Sequence, residues 1–511
     1  MATRKFFQVW LPALLVCLVS AAASAQSFRV QCPIGTSLHP AGGTKAKPVP
    51  NAAIKCQEIS GGDGFATMGD GRQIYLFGFG PLSGLENIAN GLPGTVSAAD
   101  FNEPFDPNSF LLDNSGNPTP GANPNYSPNG ALMDPKGMMD VGVLNANFPA
   151  PLMAIDEDDE FFLTLTNVGM IMRPDLFEQH TVHFHGYPNA SSFFDGVPDA
   201  SMAINIGGSM TYYYTAPDAG TYFWHCHITP PEHLQMGMVG QLYVRPRQNR
   251  VGANQSLYVA LQAQNLKWGS ANCADILCTG STPLPTSTTS ATQPPTGAKY
   301  AYNDGDGSTR YDVEYPIQMM GFDPNFHFVG MTFNPESFAD MKDKYFMLSG
   351  RSYPDTVNTT GNYPDAVAHG AVGLPVASPA LYTEASDGMS RPSQPLPSRI
   401  VINKSGGQTR ALLRISDLSV TEFTTLATVG IPMEVIAVNA RLLRDMAGNN
   451  LYYNTNSITM GGGESTDVIL DARAIDVSGG PRTFFLYSTN LDHLSNDAEN
   501  FGGMMTEIVV Q

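Results

Sequence analysis

The sequence predicts an all-β protein: two Greek-key β-sandwich domains joined by a Ser/Thr/Pro-rich linker. Short segments that alternate apolar and polar residues recur between turns rich in Gly, Pro and Asn, the pattern of many short strands. A chain of 511 residues is long enough for roughly two to three domains, each with its own core. Between the two β-rich halves runs Thr279–Gly297, TGSTPLPTSTTSATQPPTG, a low-complexity stretch with no need to pack.

In chain order, residues 1–25 read as a signal peptide. Arg4 and Lys5 precede an apolar run from Val9 to Val19, and Ala23-Ser24-Ala25 offers a small-residue cleavage site. That run is too short for a membrane span, and no later stretch is long and apolar enough to be one. The expected product is exported, periplasmic or secreted, with no transmembrane segment. Of the six cysteines, Cys17 leaves with the leader, and proximity pairs Cys32 with Cys56 and Cys273 with Cys278, as an oxidising compartment favours. Cys226 has no local partner. Removing the leader takes away two basic residues and no acids, so the formal charge goes from −19 to −21. Such an acidic surface argues against nucleic acid and anionic membranes.

Residues 26–59 form a Pro/Gly/Lys-rich arm, and residues 60–247 the first domain. Arg72–Gly80 reads as a strand entering a turn. The Asn/Pro/Gly-rich residues 101–140 read as a long surface insertion. Phe148–Gly169 gives strand, acidic turn and strand, and Gln241–Pro246 ends the domain. Residues 248–300 are a linker with a disulfide loop, in which NQSLYVALQAQNLKWG is one more strand or a short helix. Asp304–Asp312 has only a faint likeness to a calcium loop and lacks the carboxylates to complete one. Residues 301–511 return to β texture, with strands expected in Tyr345–Thr356, Thr409–Ser419, Ala440–Asp445 and Ser457–Ala472.

The chemistry concentrates between His180 and Met238, which hold six of the ten histidines and Cys226. The stretch opens HTVHFHG and closes WHCHITPPEHLQMGM. A thiolate, two imidazoles and a thioether are the donors of a blue-copper site, here His180, Cys226, His233 and Met238. Alternate residues of a strand share a face. His183 with His185, and His225 with His227, therefore turn one way, and Cys226 turns the other. Four imidazoles are expected to converge on a second centre, one peptide bond from the first on either side of Cys226. Singly, each feature has a plainer explanation. A lone His-x-His is most often a surface pair, a free cysteine most often a small buried hydrophobe, and structural zinc prefers closed four-ligand sets. Eight ligand-type residues in this order outweigh them.

HxxHxHG followed by HCH, a spacer, His and a Met resembles the copper signature of the multicopper oxidases, a family of cupredoxin domains. The likeness covers roughly residues 60–511 and points to its two-domain members. It implies type 1 copper on His180, Cys226, His233 and Met238. It also implies type 2 and type 3 copper on a cluster that includes His183, His185, His225 and His227. The spacer Ile228–Glu232 is longer than the family's usual three residues. In the second, cupredoxin-like half the copper residues are missing. Val420, Thr421, Glu422 and Phe423 stand where a His-x-His strand is expected, and LYSTN stands where His-Cys-His is expected. His39, His327, His369 and His493 are solitary. More distantly the chain resembles copper nitrite reductase, with His183 where that enzyme carries a catalytic aspartate.

The function expected from the resemblance is a copper-dependent oxidoreductase. A small-molecule or redox-protein donor is oxidised at the type 1 copper. Electrons then pass through Cys226, with His225 and His227 beside it, to a histidine-bound copper centre that reduces oxygen. Ligands from another chain, and hence a homo-oligomer, or from His327, His369 or His493, are expected to complete that centre. The alternatives are a nitrite-reductase-like copper enzyme and a non-catalytic copper-binding or electron-transfer protein of the cell envelope.

Overall fold

A computed structural model of the chain describes residues 31–70, 72–89, 91–104, 127, 129–132, 134–188, 190–268, 291–332, 337–357, 381–383, 390–392 and 398–511. Two β-sandwiches dominate it. In the first, one sheet runs in the order Gln73–Pro81, Ile54–Thr67, Glu160–Gly169, Ser209–Thr215. The facing sheet runs Met153–Asp156, Val239–Arg245, Gly220–His225, His183–His185. Strict alternation in Ser209–Thr215 turns Met210, Tyr212 and Tyr214 inward and leaves the residues between them half-exposed. They pack on Phe77, Phe161 and Trp224 in one core, where each large buried side chain contributes roughly 1.5–3 kcal/mol of apolar burial.

The second sandwich pairs a seven-stranded sheet, whose centre is Val313–Phe322, Arg410–Asp417, Ser465–Asp471 and Met433–Val438, with a five-stranded sheet. The latter runs Ile400–Ile402, Met505–Val510, Arg482–Ser488, Thr424–Val429, Ser457–Met460. Leu413, Ile415, Val435, Val468 and Leu486 fill the space between them.

Polar side chains tie the two sandwiches together at the strand Gly220–His225. The Arg414 side chain is fully buried, with Nε 3.0 Å from Glu314 Oε2 and the guanidinium 4.7 Å from the Tyr243 ring centre. It also donates to Thr221 Oγ1 at 3.3 Å, and Thr221 donates to Asp467 at 2.6 Å. Gln241 donates to Ser416 Oγ at 2.6 Å. A buried guanidinium is tolerable only when its charge is paired, as it is by Glu314 here, although Nη2 has no hydrogen-bond partner. This network therefore fixes Gly220–His225 against the second half.

Several expectations change on contact with the fold. The arm expected at 26–59 already holds core strand, since Ile54–Thr67 begins inside it and buries Ile54, Cys56 and Ile59. Cys32–Cys56 is a disulfide, whereas Cys273 and Cys278, the leader and His369 lie outside the described residues. The ends of the 101–140 insertion pack rather than float: Phe101, Ala131, Leu132 and Met138 are buried. There Asp134 caps the helix Pro135–Gly142 by accepting from Lys136 N–H. The ambiguous segment after residue 250 is the helix Leu257–Trp268. In the Asp304 loop the carboxylate accepts from Gln248, Gly307 and Thr309, and Arg444 pairs with Asp306 at 2.9 Å. That loop is a hydrogen-bonded turn, with its carboxylates already engaged. Among the described residues no helix is long and apolar enough to cross a membrane.

One buried acid gives a stability test. Asp417 accepts from Ser419 N–H at 2.9 Å through Oδ1, while its other oxygen has no partner. Burial, with Glu464 and Asp343 nearby, pushes its carboxyl up to about 7. Because the folded-state value is raised, the contribution to stability is full below the unfolded carboxyl's range and is lost as pH rises through about 7. An amide never ionises, so Asp417→Asn should unfold at a higher temperature than wild type at pH 8, with the gap shrinking towards pH 5. The expected gap is of order 1 kcal/mol or more. A gap independent of pH, read by thermal unfolding, contradicts this.

Candidate metal centre

Two groups of ligand-type side chains meet where the strand Gly220–His225 ends. Its register sets His225 opposite His183, Trp224 opposite Phe184 and Phe223 opposite His185. Phe184 and Trp224 enter the core, so His183, His185 and His225 share the other face, as the two-residue period requires. Cys226 follows and returns to the core side.

On that core side, one donor atom each from His180, Cys226 and His233 lie within 4.8 Å of one another, all three residues buried. His180 is held by paired backbone hydrogen bonds with Ile204, at 3.1 and 2.9 Å. Gly61 leaves room for its ring, since a Cβ there would come within 2.8 Å of Cδ2. His233 rides the short helix Pro230–Gln235 and sets Nδ1 3.3 Å from Cys226 Sγ. Met238, fully buried in the same core, accepts from Cys226 N–H at 3.1 Å and donates its own N–H to His233 O at 2.8 Å. His180, Cys226 and His233 thus bring donor atoms together, and Met238 adjoins them through its backbone.

The donor chemistry fits a soft metal ion. Neither ring nitrogen of the fully buried His180 has a hydrogen-bond partner, an arrangement that is costly unless something binds there. Burial alone raises the Cys226 thiol, but the imidazoles of His233 and His180 outweigh it and hold sulfur well below its ordinary range. Burial alone lowers His233, but the Cys226 thiolate and Glu178 carry it up to about 10. Glu178 Oε2 lies 3.4 Å from His233 Nε2.

On the opposite face, His183, His185 and His225 also bring ligand atoms within 4.8 Å. His227 stands beside them, its ring centre 5.1 Å from that of His183 and 5.6 Å from that of His225. His183 Nδ1 is 2.7 Å from the Asp195 carbonyl and His225 Nδ1 2.7 Å from the Cys226 carbonyl. Each contact fixes a tautomer and leaves Nε2 as the free donor, as metal-binding imidazoles require. Burial first, then the other imidazoles, push His225 down to about 3 and lower His185. Both are neutral imidazoles near pH 7.

Among the described residues, the solitary histidines do not complete this cluster. His327 is buried between the carbonyls of Tyr75 and Gln235, His493 pairs with Ser488 and Glu422, and His39 pairs with Glu160. The second half does approach it at Gly463, where a Cβ would lie 3.2 Å from His185 Cε1.

Two site residues escaped sequence reasoning. Glu178 precedes His180 by two positions, and only its far contact with His233 gives it a role. Thr181 sits between the centres: its N–H donates to Cys226 Sγ at 3.4 Å and its Oγ1 accepts from His227 N–H at 2.9 Å. Adjacency to His180 was the sole signal in sequence.

Residues 130–249 match the family profile described as multicopper oxidase, the stretch that carries both groups. The chain is 34% identical over 109 residues to laccase abr2 of Aspergillus fumigatus, covering 21% of this chain and 17% of that protein. It is 33% identical over 112 residues to the multicopper oxidase MCE of Talaromyces pinophilus, covering 22% and 17%. The matched stretch is thus about a sixth of either relative. A blue copper oxidase from Nitrosomonas europaea superposes with TM-score 0.48 at 17% identity, covering 89% of this chain and 85% of that one. Over its matched stretch the chain resembles the multicopper oxidases.

The metal-free protein tests the electrostatics of Cys226. Its ultraviolet thiolate absorption should be present at pH 7 and persist well below about 8.5, the value of a free cysteine. His233→Ala should move the transition upward. A Cys226 that titrates at or above the free value in wild type contradicts the thiolate–imidazolium pair.

Proposed function

We propose that the chain is an exported copper-dependent oxidoreductase of the multicopper-oxidase kind, with His180, Cys226, His233 and Met238 holding one copper and His183, His185, His225 and His227 holding a second centre. The observation that carries this is the tripeptide His225-Cys226-His227, whose middle residue joins one donor group while its neighbours join the other. Bound copper supplies one-electron chemistry, with oxygen as acceptor. The chain supplies the rest. Cys226 offers a thiolate and a two-way covalent link to His225 and His227. Thr181 braces the Cys226–His227 arm of that link. Glu178, whose side chain is 23% exposed, sets its carboxylate 3.4 Å from His233 Nε2 at the edge towards solvent, where an electron donor would approach.

The strands from Ile54 to Arg245 and residues 301–511 serve as the two working units of this reading, with the residues before Ile54 as arm and 248–300 as linker. The open side of the imidazole cluster is the place for ligands from a second copy of the chain. One observation favours a simpler reading. Val420–Phe423 and LYSTN supply no histidine to the cluster, which suits a one-copper electron-transfer protein.

Metal analysis of copper-loaded full chain, with visible and paramagnetic resonance spectra, separates the two. Wild type should show an intense thiolate-to-copper band and more than one copper per chain. Cys226→Ser should abolish the band, because a hydroxyl cannot replace the soft thiolate. A band that survives the substitution overturns the first centre.

The double variant His183→Ala, His227→Ala should lose copper and oxygen-consuming activity while it keeps the band. If it loses neither, the second centre does not exist and the protein is a one-copper carrier.

A further inference from the structure

Around Ser488 the second half repeats the backbone frame that holds Cys226 in the first. Cys226 N–H donates to Met238 O at 3.1 Å, and Ser488 N–H donates to Met504 O at 2.9 Å. Met238 N–H donates to His233 O at 2.8 Å, and Met504 N–H to His493 O at 2.8 Å. Val239 N–H donates to Gly237 O at 2.8 Å, and Met505 N–H to Gly503 O at 3.0 Å. Both glycines sit at positive φ, 114° and 70°.

The side chains follow the backbone. His233 Nδ1 lies 3.3 Å from Cys226 Sγ, and His493 Nδ1 lies 3.0 Å from Ser488 Oγ. On the far ring nitrogen stands a carboxylate in each case, Glu178 at 3.4 Å and Glu422 at 3.3 Å. Ser488 and Met504 are fully buried and His493 is 1% exposed, and His493 Nε2 has no hydrogen-bond partner. Two positions differ in chemistry. Residue 488 carries a hydroxyl in place of a thiol, and two residues beyond Glu422 stands Thr424, where two beyond Glu178 stands His180.

We infer that Ser488, His493 and Met504 form a soft-metal site short of its thiolate and of one imidazole, in which exchanging the Ser488 oxygen for sulfur is enough to create a second copper–thiolate centre. A serine hydroxyl stays neutral and hydrogen-bonds to His493, so it gives a soft ion little to hold. As built, the site leaves one thiolate centre among the described residues, in the first half. The inference uses the proposed function only as its template.

Ser488→Cys is the test, with cupric ion as the probe on the full-length chain. In a Cys226→Ser background, which is expected to be without an intense visible band, adding Ser488→Cys should bring a thiolate-to-copper band back, and adding His493→Ala should remove it. Ser488→Cys with Cys226 intact leaves the first site's packing untouched. It should bind one copper more per chain than wild type and show a second thiolate-to-copper band. If either Ser488→Cys chain unfolds as cooperatively as wild type yet gains neither copper nor band, the inference is overturned. A wild type with no band sinks the proposed function instead, while the Cys226→Ser, Ser488→Cys chain still reports on the second half alone.

Discussion

Register between two strands governs everything else at the centre. With His225 set against His183 and Trp224 against Phe184, the pleat delivers imidazoles to one face and aromatic rings to the core. A slip of one residue would bury the histidines and expose Trp224 and Phe184. Burial of those two rings therefore holds the ligand geometry in place, and it does so before any metal arrives. Trp224 in turn needs Gly240 on the neighbouring strand, where a Cβ would lie 2.6 Å from its ring.

The second half contributes to the centre by support more than by ligands. Arg414, Asp467 and Ser416 grip the strand Gly220–His225 and its neighbour Val239–Arg245, and Gly463 comes up against His185. That arrangement couples the electron-rich thiolate side to a rigid frame, which suits a centre whose ligands should move little when its charge changes. The repeated backbone frame around Ser488 shows the same construction in both sandwiches, with different chemistry at two positions, Ser488 for Cys226 and Thr424 for His180.

Much of this was legible in sequence because a strand's period is fixed by its pleat. His183 with His185, and Cys226 opposite its two neighbours, needed no tertiary information. The pairing of Cys32 with Cys56 was legible from proximity. What stayed hidden depends on contacts between distant elements. Glu178 earns its role from a ring 55 residues away in sequence, and Thr181 from two backbone-to-side-chain bonds that no periodicity encodes. The packed end of the insertion was legible in part and overlooked: Asp134 before Pro135 is an N-cap followed by proline at the first helical position. Leu257–Trp268 mixes apolar residues without a clear stripe, so its helix could not be told from a strand.

Anomalous diffraction at the copper edge from crystals of the copper-loaded chain tests the central claim most directly. Two separate sets of peaks are predicted, one among His180, Cys226 and His233 and the other among His183, His185 and His225, on opposite sides of the backbone at Cys226. A single peak at the first group would leave the imidazole face without its metal. Copper bound elsewhere, with neither group occupied, would contradict the two-centre reading outright.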